Sequence, residues 1–211
     1  MAVMLRLNLS YVDEDYFRMV EALKPVVARV AILNLSYFVI EFYFAQRFNS
    51  VALLSDSLDF LEDASVNILI FLAFSLAVIW RKRLSYIFAL LLLLPGISFL
   101  YNAFHQIAHP VAPTGEGMSI VGLGALVVNL YCAIILNKFK DIKGGLAKAA
   151  YFSARNDAVS NILIIIAGFV TLFWISAIPD LIVGAVIFLM NADSARDILQ
   201  AARAEHRESQ S

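Results

Sequence analysis

The sequence predicts an all-α polytopic membrane protein with six transmembrane helices and both termini in the cytoplasm. Three observations predict it. First, 61% of the 211 residues are apolar and the mean hydropathy is +0.79, whereas a soluble domain is nearer half apolar. Second, the apolar residues fall into six runs, most of them about 20 residues or longer, the length that crosses a bilayer. Third, the basic residues alternate between the connections in the manner of the positive-inside rule.

The first span runs from about Pro25 to Ala45 and the second from Val51 to Trp80. The third covers roughly Leu84 to Ile107, with a kink expected at Pro95-Gly96, where proline removes a backbone donor. The fourth is about Ser119 to Phe139 and the fifth about Lys148 to Ile175. The sixth follows Pro179-Asp180, a helix-start signal, and fades near Asp193. Fourteen basic residues lie on one side: Arg6, Arg18, Lys24, Arg29, then Arg81 to Arg83, then Lys138, Lys140, Lys143 and Lys148, then Arg196, Arg203 and Arg207. Arg47 alone occupies the other side, and Arg155 falls inside the fifth span. Residues 1–24 therefore read as a cytoplasmic segment, 25–199 as the transmembrane domain and 200–211 as a short cytoplasmic tail. The N-terminus has no basic region before an apolar core, and Asp13, Glu14 and Asp15 interrupt it, so it does not read as a secretory signal. Cys132 is the only cysteine, which excludes an intrachain disulfide and a thiolate metal cluster.

The second span carries Asp56, Asp59, Glu62 and Asp63. At 1.5 Å per residue, Asp59 lies about 12 Å and Asp63 about 18 Å below its outer end, near the bilayer midplane. An acid at that depth costs about 2.5–3.5 kcal/mol on insertion scales, so it is a functional candidate by default. The fifth span runs the opposite way and carries "YFSARNDAVSN". Ser153 and Asp157 lie about 7 and 13 Å from Lys148. Each pair is spaced four apart and shares a helix face. Two antiparallel helices can thus bring four oxygen-bearing side chains to one point, as a tetrahedral divalent cation needs. Asn156 is an alternative to Ser153 as the fourth donor. Three carboxylates packed together cannot all stay ionised without a cation. Occupancy by either metal or protons is the physical basis of proton-coupled antiport.

Other polar positions fit an ion or proton pathway: Asp56, one turn nearer the outside; Glu41, in the outer third of the first span; Asn161; and His105 with His109 at the outer end of the third. Glu62 points away from the Asp59/Asp63 face and reads as an ion-pair partner, with Arg155 within its range of choice. Gly122, Gly124 and Gly184 suit close helix packing.

"NSVALLSDSLDFLEDA" and "YFSARNDAVSN" resemble the paired metal motifs of the cation diffusion facilitator family, and Asn34, His109-Pro110 and "PDLIVG" also look like family features. The resemblance implies a divalent-cation efflux transporter with Asp59, Asp63, Ser153 and Asp157 at the ligand positions, six spans and no enzymatic activity. It implies a homodimer in a bacterial inner membrane, exchanging Zn²⁺, Mn²⁺, Cd²⁺ or Co²⁺ for protons, with no other cofactor and no nucleic-acid partner. Two departures stand out. Neither pair contains the histidine common in zinc-transporting members, and an all-oxygen site favours harder cations such as Mn²⁺, although the affinity order favours Zn²⁺. The sequence also resembles a short branch without the cytoplasmic C-terminal domain. Two other classes compete: a prenyltransferase-like membrane enzyme using its Asp-rich run with Mg²⁺, and a metal-binding membrane protein that does not transport.

Overall fold

The computed structural model describes residues 2–73, 97–140 and 146–190. Among these, six helices follow one another: α1 (Ala2–Phe48), α2 (Val51–Ala73), α3 (residues 97–108), α4 (Gly115–Asn137), α5 (Leu146–Phe173) and α6 (Ile178–Met190). The far part of the second span, the Pro95-Gly96 kink, the Arg81 to Arg83 loop and the tail lie outside the described residues. Among the described residues, three helices are long and apolar enough to cross a membrane: Glu21–Phe48, Gly115–Asn137 and Lys148–Phe173.

α1 differs from the expected span, because Pro25 lies inside the helix and does not begin it. The ring deprives the Glu21 carbonyl of its helical partner, but Glu21 is exposed, so solvent can satisfy that group. α1 ends in a Schellman turn. Asn49 adopts φ 54°, the left-handed conformation that asparagine tolerates. The Ser50 N–H donates to the Ala45 carbonyl at 3.0 Å and the Asn49 N–H to the Gln46 carbonyl at 3.4 Å. α2 therefore turns straight back along α1.

The start of α2 is capped from another helix. Ser50 Oγ accepts the Leu53 N–H at 3.1 Å, an ordinary N-cap bond. Asp180 of α6 accepts the Val51 N–H at 2.7 Å, the Ala52 N–H at 3.1 Å and the Ser50 hydroxyl at 2.6 Å. The free amides of the first turn are thus satisfied by one buried carboxylate, at the end of the helix where the dipole favours negative charge. α6 comes this close because Gly184 has no side chain: a Cβ there would sit 3.0 Å from the Ala52 nitrogen. Glycine serves the same purpose where α4 crosses α5, since a Cβ on Gly115 would lie 2.5 Å from the Gly168 carbonyl oxygen.

The interior has three layers. At the end with the α1–α2 turn, Ala45, Val51 to Leu54, Phe99, Met118, Val121, Ile164, Ala167 and Ile187 form one apolar core. At the far end, Leu23, Val27, Val30, Ile70, Cys132, Ala133, Leu136, Ala150 and Ala154 form another. Between them, every helix of the α1–α2–α4–α5 bundle contributes buried polar groups: Asn34 and Glu41; Asp56, Asp59 and Asp63; Asn129; Asp157, Ser160 and Asn161. The outward faces are the reverse, with Ile32, Val39, Leu123, Val127, Ile134, Ile162 and Ile166 exposed. Apolar outside and polar within is the pattern of a protein solvated by lipid.

Candidate metal-binding layer

α2 is the central helix of the bundle. Residues 51 to 57 are all buried, so the helix has no solvent face on which to place its acids. Asp59 and Asp63 lie one turn apart on a face covered by α1 and α5, and both are 6% exposed. Asp157 of α5 is equally enclosed, at 8%. Its carboxyl lies within hydrogen-bonding reach of Asp63. The Ser153 hydroxyl donates to Asp63 Oδ1 at 2.8 Å. Ser153 therefore spends its hydroxyl on the cluster and not on its own helix backbone, the usual alternative for serine within a helix.

Asn156 is placed differently. It is exposed, as is Arg155 beside it, whose guanidinium lies 4.8 Å from the centroid of the Phe152 ring. One residue from Asp157 is a rotation of about 100°, enough to carry Asn156 off the buried face. His105 and His109 also lie away from the carboxylates. Both are exposed, and their rings meet at a tilt with centroids 5.2 Å apart. His105 borders a cavity of about 30 Å³ beside the α1–α2 turn, with Gln46, Asn49, Ser50 and Gln106 among its other walls.

A second carboxyl pair occupies the same layer, nearer the α1–α2 turn. Glu41 is fully buried, and its carboxyl lies within hydrogen-bonding reach of Asp56. Asn161 donates its amide to Asp56 Oδ2, and Asn129 donates to Asn161 Oδ1 at 3.0 Å. This chain ties α4, α5 and α2 together and fixes which way the Asn161 amide faces. Tyr37 closes the layer beside Glu41. Its hydroxyl donates to the Val121 carbonyl at 2.6 Å, its ring packs on Phe60 with centroids 4.9 Å apart, and Gly124 leaves the room it needs. Asn129 was not singled out from the sequence, and Asp180 was read there only as part of a helix start and of "PDLIVG". A lone amide in the apolar run "LVVNLYC" is a readable signal for the first.

Among the described residues, no Lys, Arg or His is buried. Five acids therefore share one enclosed layer with no buried basic side chain. Nor, among the described residues, are three His, Cys, Asp or Glu side chains already gathered around one point. The acids instead meet in pairs. An oxygen-only donor set of this kind suits a divalent cation once the pairs part.

Residues 27–201 match the cation efflux transmembrane domain. The chain belongs to the cation diffusion facilitator family. It is an integral membrane protein of a transporter family, which removes the prenyltransferase-like reading. Among similar proteins are two named cadmium, cobalt and zinc/H(+)-K(+) antiporters. That of Bacillus subtilis is 26% identical over 191 residues, covering 82% of this chain and 61% of the relative. That of Bacillus velezensis is 27% identical over 164 residues, covering 72% of this chain and 52% of the relative. The chain thus spans between about half and three-fifths of the length of these members of the family.

Proposed function

We propose that this chain is a divalent-metal efflux transporter that exchanges the metal for protons by alternating access. The observation that carries the reading is the acidic layer itself: carboxylates from α1, α2 and α5, sealed between two apolar cores and, among the described residues, without a buried basic side chain to balance them. Such a layer is costly to build, and a structural role does not need it.

The metal ligands are Asp59, Asp63 and Asp157, with Ser153 as fourth donor. Its hydroxyl already points at Asp63, and Asn156 is the weaker candidate because it is exposed. A metal entering the layer has to separate Asp63 from Asp157 and draw in Asp59. In doing so it displaces the protons that let buried carboxyls sit side by side, so metal and protons exclude one another. The apolar cores act as the two gates. The core around Leu136 and Val27 parts toward the cytoplasm and the core around Val51 and Phe99 toward the outside, with the layer between them fixed. In this reading both termini are cytoplasmic, six spans cross a bacterial inner membrane and two copies form a homodimer. Cd²⁺, Co²⁺ and Zn²⁺ follow from the relatives' names, and Mn²⁺ from the oxygen-only site.

The test is reconstitution in liposomes, following Zn²⁺, Mn²⁺, Cd²⁺ and Co²⁺ uptake with and without an imposed pH gradient. Proton-dependent uptake of at least one metal, lost in Asp157→Ala, is the expected result. Metal binding without flux would return the chain to the non-transporting class.

A further inference from the structure

The Glu41–Asp56 pair lies outside the proposed ligand set and has a hydrogen-bonding requirement of its own. Two ionised carboxylates offer only acceptors, so they cannot hydrogen-bond each other. Yet these two carboxyls lie within hydrogen-bonding reach. Neither Glu41 oxygen, nor Oδ1 of Asp56, receives an N–H or O–H from the described residues. Among the described residues, the one donor to the pair, the Asn161 amide, is spent on Asp56 Oδ2. A hydrogen carried on one carboxyl would close the remaining contact.

The surroundings keep it there. The titratable groups facing the pair are Tyr37 on α1, Asp59 on α2 and Asp157 on α5. α4 presents Asn129, through Asn161. Tyr37 has committed its own proton to the Val121 carbonyl. Among the described residues, the ionisable side chains that face the pair are thus all acids or Tyr37, and an acidic pair that shares a proton is the arrangement that like charges at close range enforce.

The pair is distinct from the metal ligands but near them. Asp56 precedes Asp59 by one turn and Asp63 by two, a rise of about 4.5 and 10 Å. A divalent cation at those ligands repels the proton across a medium of low dielectric, and a proton on the pair in turn weakens metal binding by the same factor.

We propose that Glu41 and Asp56 form a shared-proton site, separate from the metal ligands, that releases its proton when metal binds and so couples the exchange to the pH gradient. The proposal rests on the transport reading above and names its counter-ion carrier.

The test uses the full-length protein and Glu41→Gln, which keeps the shape and a hydrogen-bond donor toward Asp56, with Asp157→Ala as reference. Zn²⁺ and Mn²⁺ binding is measured by calorimetry in buffers of different ionisation enthalpy, which counts protons released. Flux is measured with and without a pH gradient. Glu41→Gln is expected to bind metal within about 3-fold of the parent, to release about one proton fewer per metal, and to lose acceleration by the gradient. An unchanged proton count would overturn the proposal. So would loss of metal binding as complete as in Asp157→Ala, because the two sites would then be one. A pair that answers to K⁺ gradients with the proton count unchanged is a monovalent-cation site, which also overturns it. Infrared difference spectroscopy of the metal-free protein provides a readout that does not depend on flux: a protonated-carboxyl band, removed by Glu41→Gln and by Asp56→Asn. Its absence refutes the shared proton even where transport is normal. If instead the parent binds neither metal while the band is present, it is the transport reading that fails.

Discussion

Two carboxyl pairs sit in one polar layer, and they differ in how they are held. Asp63 and Asp157 face each other, and among the described residues the Ser153 hydroxyl is the side-chain donor that orients them. Glu41 and Asp56 face each other at the end of an amide chain running through Asn161 to Asn129. The first pair is loosely tethered and free to open around an ion. The second is braced from three helices. Burial alone does not distinguish them, since all four acids are enclosed; hydrogen bonding does. In the transport reading proposed above, a site that changes partners each cycle is built with few fixed bonds, and one that only gains or loses a proton tolerates a scaffold.

The largest effect that sharpens this contrast is expected at the first pair. Asp157→Ala should reduce metal affinity by about 100-fold or more, beyond the cost of losing an outer partner, as measured by calorimetry in detergent. If the variant binds as the parent does, the ion is not there. Next is the pH dependence of binding at the same pair. Acid loads the carboxyls with protons, so affinity should fall as pH falls, and Asp157→Asn should flatten that slope. Removal of the α2 cap should come third. Asp180→Ala leaves the first-turn amides and Ser50 without their acceptor and should cost about 2–4 kcal/mol, read as a lowered midpoint of thermal unfolding. Asp180→Asn, which keeps one acceptor oxygen, should cost less. A smaller change is expected for Ser153→Ala, about 1 kcal/mol or less than 10-fold in affinity, because a hydroxyl is a weak ligand. Ser153→His should shift preference toward Zn²⁺. The smallest belongs to Asn156→Ala, within about 0.5 kcal/mol, as for any exposed position. A larger loss there would exchange the roles of the two residues.

Much of this layout was legible in the sequence. The start of α2 at Val51 and the antiparallel acids followed from apolar run lengths and a fixed rise per residue. What escaped depends on contacts between distant segments. Nothing near Pro25 says that a helix continues through it, since the answer depends on whether the Glu21 carbonyl meets solvent. Glu41 reads equally well as a snorkelling side chain until α2 is seen to cover it. Ser153 and Asn156 stand three apart, too close on a helix wheel to separate without knowing where α2 lies. Asp180 looks like an ordinary first-turn acid of its own helix. Only the fold reveals that it caps another, 128 to 130 residues away.

That separation has a consequence for how the chain is made. α2 carries four acids, each costing about 2.5–3.5 kcal/mol at the bilayer centre, and cannot be a comfortable insertion segment alone. Its tight turn lets it enter as a hairpin with α1, leaning on an apolar neighbour. But the carboxylate that satisfies its first amides emerges from the ribosome later, after some 130 further residues, on the order of ten seconds of synthesis. Until α6 arrives, the helix bearing the proposed ligands has an unfinished end. α6 is therefore the clasp of biogenesis, and truncation before Asp180 should yield a chain that inserts but is cleared by quality-control proteases.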